Sequence, residues 1–232
     1  KKGPPGNPAL IDLGLSGFSF TGFRVGLQWE IDEHWSFGAV FRNKIEIDAT
    51  ADDGTALGQN AEDPELTFVL PTKLGLGGRF DYDAFGIAAD VEYGFYSENE
   101  AQPLRGVIAG RAAEVTNAFY WNDAVTVRAG VEYRLGSERN FPVRLGYIHD
   151  ATVSNKAYPT AFGTPPAPTN TVTAGAGVVL GITRINFAYS YRVGSTTVAA
   201  SELAPASECR FCSVAGDYSI RTHGLHADVS AD

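Results

Sequence analysis

Seven residues stand out for the chemistry they could do: Arg24, Arg42, Lys44, Arg128, Glu132, Arg134 and Arg144. Each fills the polar slot of a run in which apolar and polar residues alternate, and Glu30, Glu46 and Glu92 fill matching slots. Successive side chains of a strand point to opposite faces, so all of these groups share one wet face. Cations there can contact a carboxylate head group or line a passage. They can also pair with the neighbouring carboxylates and keep a hydrated wall satisfied, which is the default for any single one of them.

Other chemistry is thinner. Asp52, Asp53, Glu62, Asp63 and Glu65 form an acidic stretch that could hold calcium against lipopolysaccharide. Calcium needs six or more oxygens in a defined geometry, so a solvated acidic loop is the plainer expectation. Cys209 and Cys212, in CRFC, read as a short disulfide in a loop of an exported protein, with a free pair as the next reading. Zinc comes last, because no second ligand pair is near and His223 and His226 fall on opposite faces of a strand. His149, near a strand end, reads as interfacial. There is no GxSxG elbow and no metal-ligating His pair, so no catalytic residues, metal or cofactor are expected.

The elements that must position these groups are strands. In WNDAVTVRAGVEYRLGSERNFPVRLGYIHD, Val125, Val127, Ala129, Val131, Tyr133 and Leu135 alternate with Thr126, Arg128, Gly130, Glu132, Arg134 and Gly136. Turn chemistry at 137–141 follows, and then a second alternating run. The same hairpin recurs along the chain. Phe23 to Ile31 is followed by Trp35 to Ile47, Leu74 to Tyr82 by Phe85 to Phe95, Val172 to Leu180 by Ile185 to Val193, and Leu225 to Ala231 closes the series. That makes nine strands and no helix. Short connections (32–34, 82–84, 136–140, 181–184) alternate with long ones (50–65, 99–116, 156–168, 195–216). Residues 99–116 read either as a strand extension plus loop or as an extra hairpin.

Composition sets the bounds. The chain has 232 residues, 44% of them hydrophobic, with a formal net charge of -9. That is too apolar for disorder and too acidic for a nucleic-acid partner. No run approaches ~18 apolar residues, which excludes a spanning helix but not barrel strands of about ten alternating residues. A water-soluble sandwich would also alternate. Three features favour a transmembrane barrel instead: strands longer than globular ones, Trp29, Trp35, Phe119 and Trp121 at the ends of the apolar face, and glycines on the polar face. In such a barrel the short turns are periplasmic and the long loops external. Strand parity in an even-numbered barrel expects an odd number of further strands, upstream or from another chain. The expected organisation is an irregular lead-in over 1–16 and a barrel segment over 17–232, cut at both ends.

Three runs together carry a family resemblance: WNDAVTVRAGVEYRLGSERNFPVRLGYIHDATV, LQWEIDEHWSFGAVFRNKIEIDATAD and LPTKLGLGGRFDYDAFGIAADVEY. In order and spacing they resemble the C-terminal part of the FadL/TodX-type outer-membrane transporters of long-chain fatty acids and other hydrophobic compounds. The resemblance implies an all-β antiparallel barrel of fourteen strands, plugged by an N-terminal hatch, of which these nine would be the last. The expected partners are a hydrophobic small molecule, outer-membrane lipid with lipopolysaccharide, and the upstream strands and hatch. The hatch, the early strands and most of the family's ligand-contacting and lateral-opening residues have no counterpart here, so no ligand residue is carried over. The expected function is passive passage of hydrophobic small molecules. The alternative is a structural or surface-interaction barrel whose long loops bind a partner, and a barrel hydrolase stands third.

Overall fold

The computed structural model describes residues 11–56, 59–108, 110–159, 165–205 and 215–231. Its strands are β1 (Ile11–Leu13), β2 (Arg24–Glu30), β3 (Trp35–Arg42), β4 (Ile45–Thr50), β5 (Asp53–Ala56), β6 (Gln59–Leu70), β7 (Lys73–Tyr82) and β8 (Phe85–Gly94). They continue as β9 (Ala101–Ile108), β10 (Arg111–Ala118), β11 (Ala124–Leu135), β12 (Phe141–Asp150), β13 (Thr169–Leu180), β14 (Thr183–Val198) and β15 (Gly216–Ala231). Among the described residues the only helical pieces are two 3₁₀ turns, Tyr96–Glu98 and Ala200–Glu202.

Nine strands form one antiparallel sheet in the order β15-β14-β13-β12-β11-β8-β7-β3-β2. Its register follows from the turns. Asp32 Oδ1 accepts the N–H groups of His34 and Trp35, each at 2.8 Å, which fixes the β2–β3 turn. Gly136 at φ 92° and Gly181 at φ 61° supply the left-handed residues that the β11–β12 and β13–β14 turns need. With the register set, parity is kept across the sheet. Leu27, Val127, Val131 and Phe187 stand exposed on one face, whereas on the other the Glu132 side chain is only 13% exposed. No second layer of described residues covers the apolar face, as a soluble sandwich would require. Trp35 stacks on Phe37 at 6.0 Å and packs on Phe80 at 4.7 Å beside one short turn, while Phe119 stacks on Trp121 at 5.1 Å at the opposite rim. The sheet does not close on itself, and β2 and β15 are its edges.

A second sheet departs from expectation. The order β1-β5-β6-β9-β10, with β4 also on β6, gathers residues from both the lead-in and the long connections. The second strand was expected to run through Ile45 and Ile47. It stops at Arg42 because Asn43 turns back, donating to the Thr21 and Lys44 carbonyls and accepting from Phe23 N–H. Residues 50–65, expected to be a loop, hold β5 and the start of β6, and 99–116 form the extra hairpin β9–β10. The lead-in over 1–16 includes β1, paired with β5. Pro64 explains the misreading of β6. A proline lacks the donor that a ladder needs, and this one sits where the β6–β9 register slips between Glu62 and Glu65.

Candidate functional site

The polar face of the nine-stranded sheet carries two belts of paired charge. In the belt nearer the short turns, Glu132 receives three guanidinium groups: Arg144 Nε at 2.6 Å, Arg134 Nε at 2.8 Å and Arg79 Nη2 at 3.2 Å. Asp81 takes Arg79 Nη2 at 2.8 Å and also pairs with Arg134. Arg144 Nη1 donates to Asn186 Oδ1 at 2.8 Å, and Asn186 passes the chain on to Asp228 at 3.0 Å. Glycine makes this possible. A Cβ on Gly86 would lie 2.8 Å from Arg79 Nη2 and Asp81 Oδ1, and one on Gly177 would lie 2.4 Å from Asn186 Oδ1.

The second belt lies toward the long connections. Arg128 pairs with its cross-strand partner Asp90 at 2.7 Å, and Lys73 pairs with Glu92 at 2.6 Å while lying 5.3 Å from the Tyr96 ring centroid. Asp150 accepts from Thr126 at 2.8 Å and from Thr169 at 3.1 Å, and it pairs with Arg192 at 3.3 Å. Between the belts, a row of small residues that includes Gly38, Gly77, Ala88, Gly130 and Gly146 floors two adjoining hollows of ≈ 550 and ≈ 290 Å³. The charges therefore lie along the sheet to either side of these hollows. Isolated half-exposed pairs contribute ~0–1 kcal/mol each, so the network's main effect is to hold guanidinium groups in place.

The seven sequence candidates fall into two groups. Arg128 belongs to the second belt, and Glu132, Arg134 and Arg144 to the first. Arg24 and Arg42 lie directly opposite each other on β2 and β3, and Lys73 is the next in that row on β7. Like charges in such positions repel. Lys73 is offset by Glu92, but Arg24 makes no ion pair among the described residues. Arg42 donates through Nη2 to the Pro71 carbonyl at 3.1 Å, and its buried Nε has no partner among the described residues. Lys44 sits past the end of β3 and pairs with Glu46 at 2.7 Å, which holds its ammonium above the ordinary value. Reading by parity alone missed Lys73, Arg79, Asp81, Asp90, Asp150, Arg192 and Asn186 as partners. Part of the signal was present: the short β11–β12 turn fixes register and so sets Glu132 opposite Arg144, whereas Arg128 meets Asp90 across β8 and β11, which a long connection joins.

Other candidates resolve more simply. The acidic stretch lies on β5–β6, with Asp53 opposite Glu62, and no group of three potential metal ligands occurs among the described residues. Cys209 and Cys212 lie outside the described residues. His149 hydrogen-bonds Asn170 at 2.9 Å. Ser190 and His226 approach at 3.5 Å, with no carboxylate on the imidazole among the described residues. Beyond the membrane-type strands, backbone N–H groups of His34 and Trp35 hold the Asp32 carboxyl below its usual range, and Arg105 does the same for Glu114.

Comparison with known proteins places this architecture. A family model described as outer membrane protein transport protein (OMPP1/FadL/TodX) matches residues 3–228. The chain belongs to this family. Among solved structures, a Pseudomonas aeruginosa FadL homologue superposes with a TM-score of 0.69 at 14% identity, covering 90% of this chain and 51% of that one. The Ralstonia pickettii toluene transporter TbuX (TM-score 0.58, 19% identity) and the Pseudomonas putida toluene transporter TodX (0.58, 17%) each cover 90% of this chain and 47% of theirs. The chain thus spans about half the length of the FadL/TodX structures it matches. No curated protein sequence matches it. The FadL/TodX family consists of outer-membrane β-barrel transporters, and at such low identity the structural likeness speaks for the fold. No helix among the described residues is long and apolar enough to cross a membrane.

Proposed function

We propose that this chain forms part of the wall of an outer-membrane barrel that passes hydrophobic small molecules, long-chain fatty acids among them. The observation that carries the reading is the division of the nine-stranded sheet. One face is apolar over about ten residues per strand, the span that lipid demands, and the other is charged, with most of its charges paired and the Arg24–Arg42 end left open. In this reading the short turns are periplasmic, and the long connections with their second sheet are external and meet lipopolysaccharide. A sheet in hydrocarbon cannot leave an edge unpaired, so β2 and β15 receive further strands, with a hatch, from elsewhere in the protein or from another chain. The Arg24–Arg42–Lys73 row near the loop-side rim would take an acid head group.

Uptake into proteoliposomes tests this. Labelled long-chain fatty acid should enter faster than into empty vesicles. Arg42→Gln combined with Arg24→Gln should cut acid uptake by ~3- to 10-fold while leaving toluene uptake within ~2-fold, in line with the loss of one or two charge-assisted bonds. No uptake of either would overturn the reading. A surface-interaction barrel would then replace it, a role to which exposed Phe68 on the outer sheet and exposed Phe18 and Phe20 in the β1–β2 connection are suited.

A further inference from the structure

At the loop-side rim of the polar face, a third cavity differs from the two open hollows. It measures ≈ 160 Å³ and is the more enclosed. Its walls come from β11 to β14 and the connections beside them, strands that are each paired on both sides within the sheet. On one side stand Tyr96 and Trp121, edge to face with centroids 6.4 Å apart, and Trp121 is backed by Phe119. Ala124 and Ala167, both buried, keep the base of the cavity shallow. On the other side is the Asp150–Thr169–Arg192 cluster, with Thr169 only 1% exposed and Arg192 Nε donating to its hydroxyl at 2.9 Å.

We infer that this pocket holds one neutral aromatic ring bearing a hydroxyl group, a phenol in preference to a hydrocarbon or a carboxylate. Size sets the first limit. A cavity of ~150 Å³ accommodates benzene, whereas clefts for larger ligands run to roughly 300 Å³ and above. The two rings offer the edge and face contacts that aromatic pairs adopt. Charge sets the second limit, because Asp150 repels an anion and Arg192 a cation. Hydrogen bonding sets the third. Asp150 Oδ2 already takes Thr169 and Arg192, while among the described residues Oδ1 takes only Thr126. A carboxylate oxygen has room for a second donor, so a hydroxyl on the ring completes the shell. A bare hydrocarbon would desolvate that oxygen and return nothing.

The pocket's place on a transport route rests on the function proposed above, whereas its preference for a phenol is measured separately. Trp29 and Trp35 lie at the opposite rim, so Trp29→Phe with Trp35→Phe leaves Trp121 as the one indole of these 232 residues; in the full-length protein every tryptophan outside them is likewise changed to Phe. In detergent, with excitation at 295 nm, phenol should change Trp121 emission saturably, with a midpoint at least tenfold below those of toluene and benzoate. Ala167→Leu, which fills the cavity, should abolish the response. Asp150→Asn should cut the phenol-to-toluene preference at least threefold, a ratio that a misfolded protein would not mimic. Linear quenching by phenol, equal midpoints for phenol and toluene, or an unchanged response in Ala167→Leu would overturn the assignment. Fatty-acid uptake that persists without phenol binding sinks this pocket alone. Phenol binding without any uptake sinks the transport reading alone.

Discussion

The two sheets share one chain and one alternation but solve different problems. In the nine-stranded sheet, each strand keeps its register with both neighbours, and the only proline is Pro142, the second residue of β12, next to a turn. In the six-stranded sheet β6 serves β4, β5 and β9 in succession, and both β6 and β9 contain proline. Where β9 reaches Pro103 its ladder with β6 ends, and the Gln102 side chain donates to the Thr67 carbonyl in its place, at 3.2 Å. For a wall set in a membrane, as proposed, the difference teaches where lipid would end. Hydrocarbon offers no hydrogen bonds, so every backbone group inside it must be paired within the sheet. Water at the outer sheet satisfies what bulges and prolines leave open. The breaks at Asn43 and at Pro71–Thr72 mark that boundary on β3 and β7.

The sharpest way to break this comparison is one arginine placed on each sheet. Leu145 lies mid-strand on the apolar face of β12, and Phe68 lies on the apolar side of β6; both are exposed. Leu145→Arg should destabilise the protein by about 2–4 kcal/mol, the cost of a cation at the bilayer midplane. Phe68→Arg, with water at hand, should stay within ~0.5 kcal/mol. Urea unfolding of protein folded into lipid vesicles measures both. Equal costs would mean that the boundary between the two sheets is not the edge of the lipid.

The same contrast explains what the sequence alone could disclose. In the nine strands, period and turn chemistry agree, and a one-residue slip would turn Val127 and Val131 inward and Arg128 and Glu132 toward lipid. That penalty makes the pattern readable. The outer sheet pays no such penalty. Ile45, Ile47, Leu66, Phe68 and Leu70 continue the alternation, but Pro64 and the acidic run at 52–65 carry the usual marks of a loop, and it is pairing with β4, β5 and β9 that makes β6 a strand. The candidate face was half readable. Parity gave the cations Arg128, Arg134 and Arg144 and the carboxylate Glu132, but not which charges meet. Arg79 meets Asp81 along β7, Asp81 reaches Arg134 over the intervening β8, and the Asp150 cluster joins strands separated by a long connection.

A carboxylate deletion on each sheet sharpens the comparison further. Glu132→Ala leaves Arg79, Arg134 and Arg144 facing one another with one fewer anion, on a face with limited water. It should cost about 1–2 kcal/mol, less than a fully buried broken pair because the guanidinium groups remain partly hydrated. Glu114→Ala removes a pair with Arg105 that is more than half exposed on both sides. No measurable shift in the urea midpoint is expected there. A comparable loss at Glu114 would show that the outer sheet is as dry as the wall.

The smallest effect comes from protons at the short-turn rim. Asp32 is fully exposed, yet two backbone donors favour its ionised form and hold its carboxyl below the usual range. A depressed carboxyl stabilises the folded turn at any pH above the unfolded value of about 3.9, and that contribution fades as pH falls through the lower folded value. Exchange of the His34 and Trp35 amides, corrected for intrinsic rates, should therefore stay slow from neutral pH to about pH 4 and quicken below it. In Asp32→Ala these two amides should exchange quickly throughout, while those in the middle of β11 remain protected in both proteins. If the two amides of the wild type stayed protected at pH 2, the strand ladder and not the carboxylate would be holding the turn. The register of the β2–β3 hairpin would then be set by the apolar face alone.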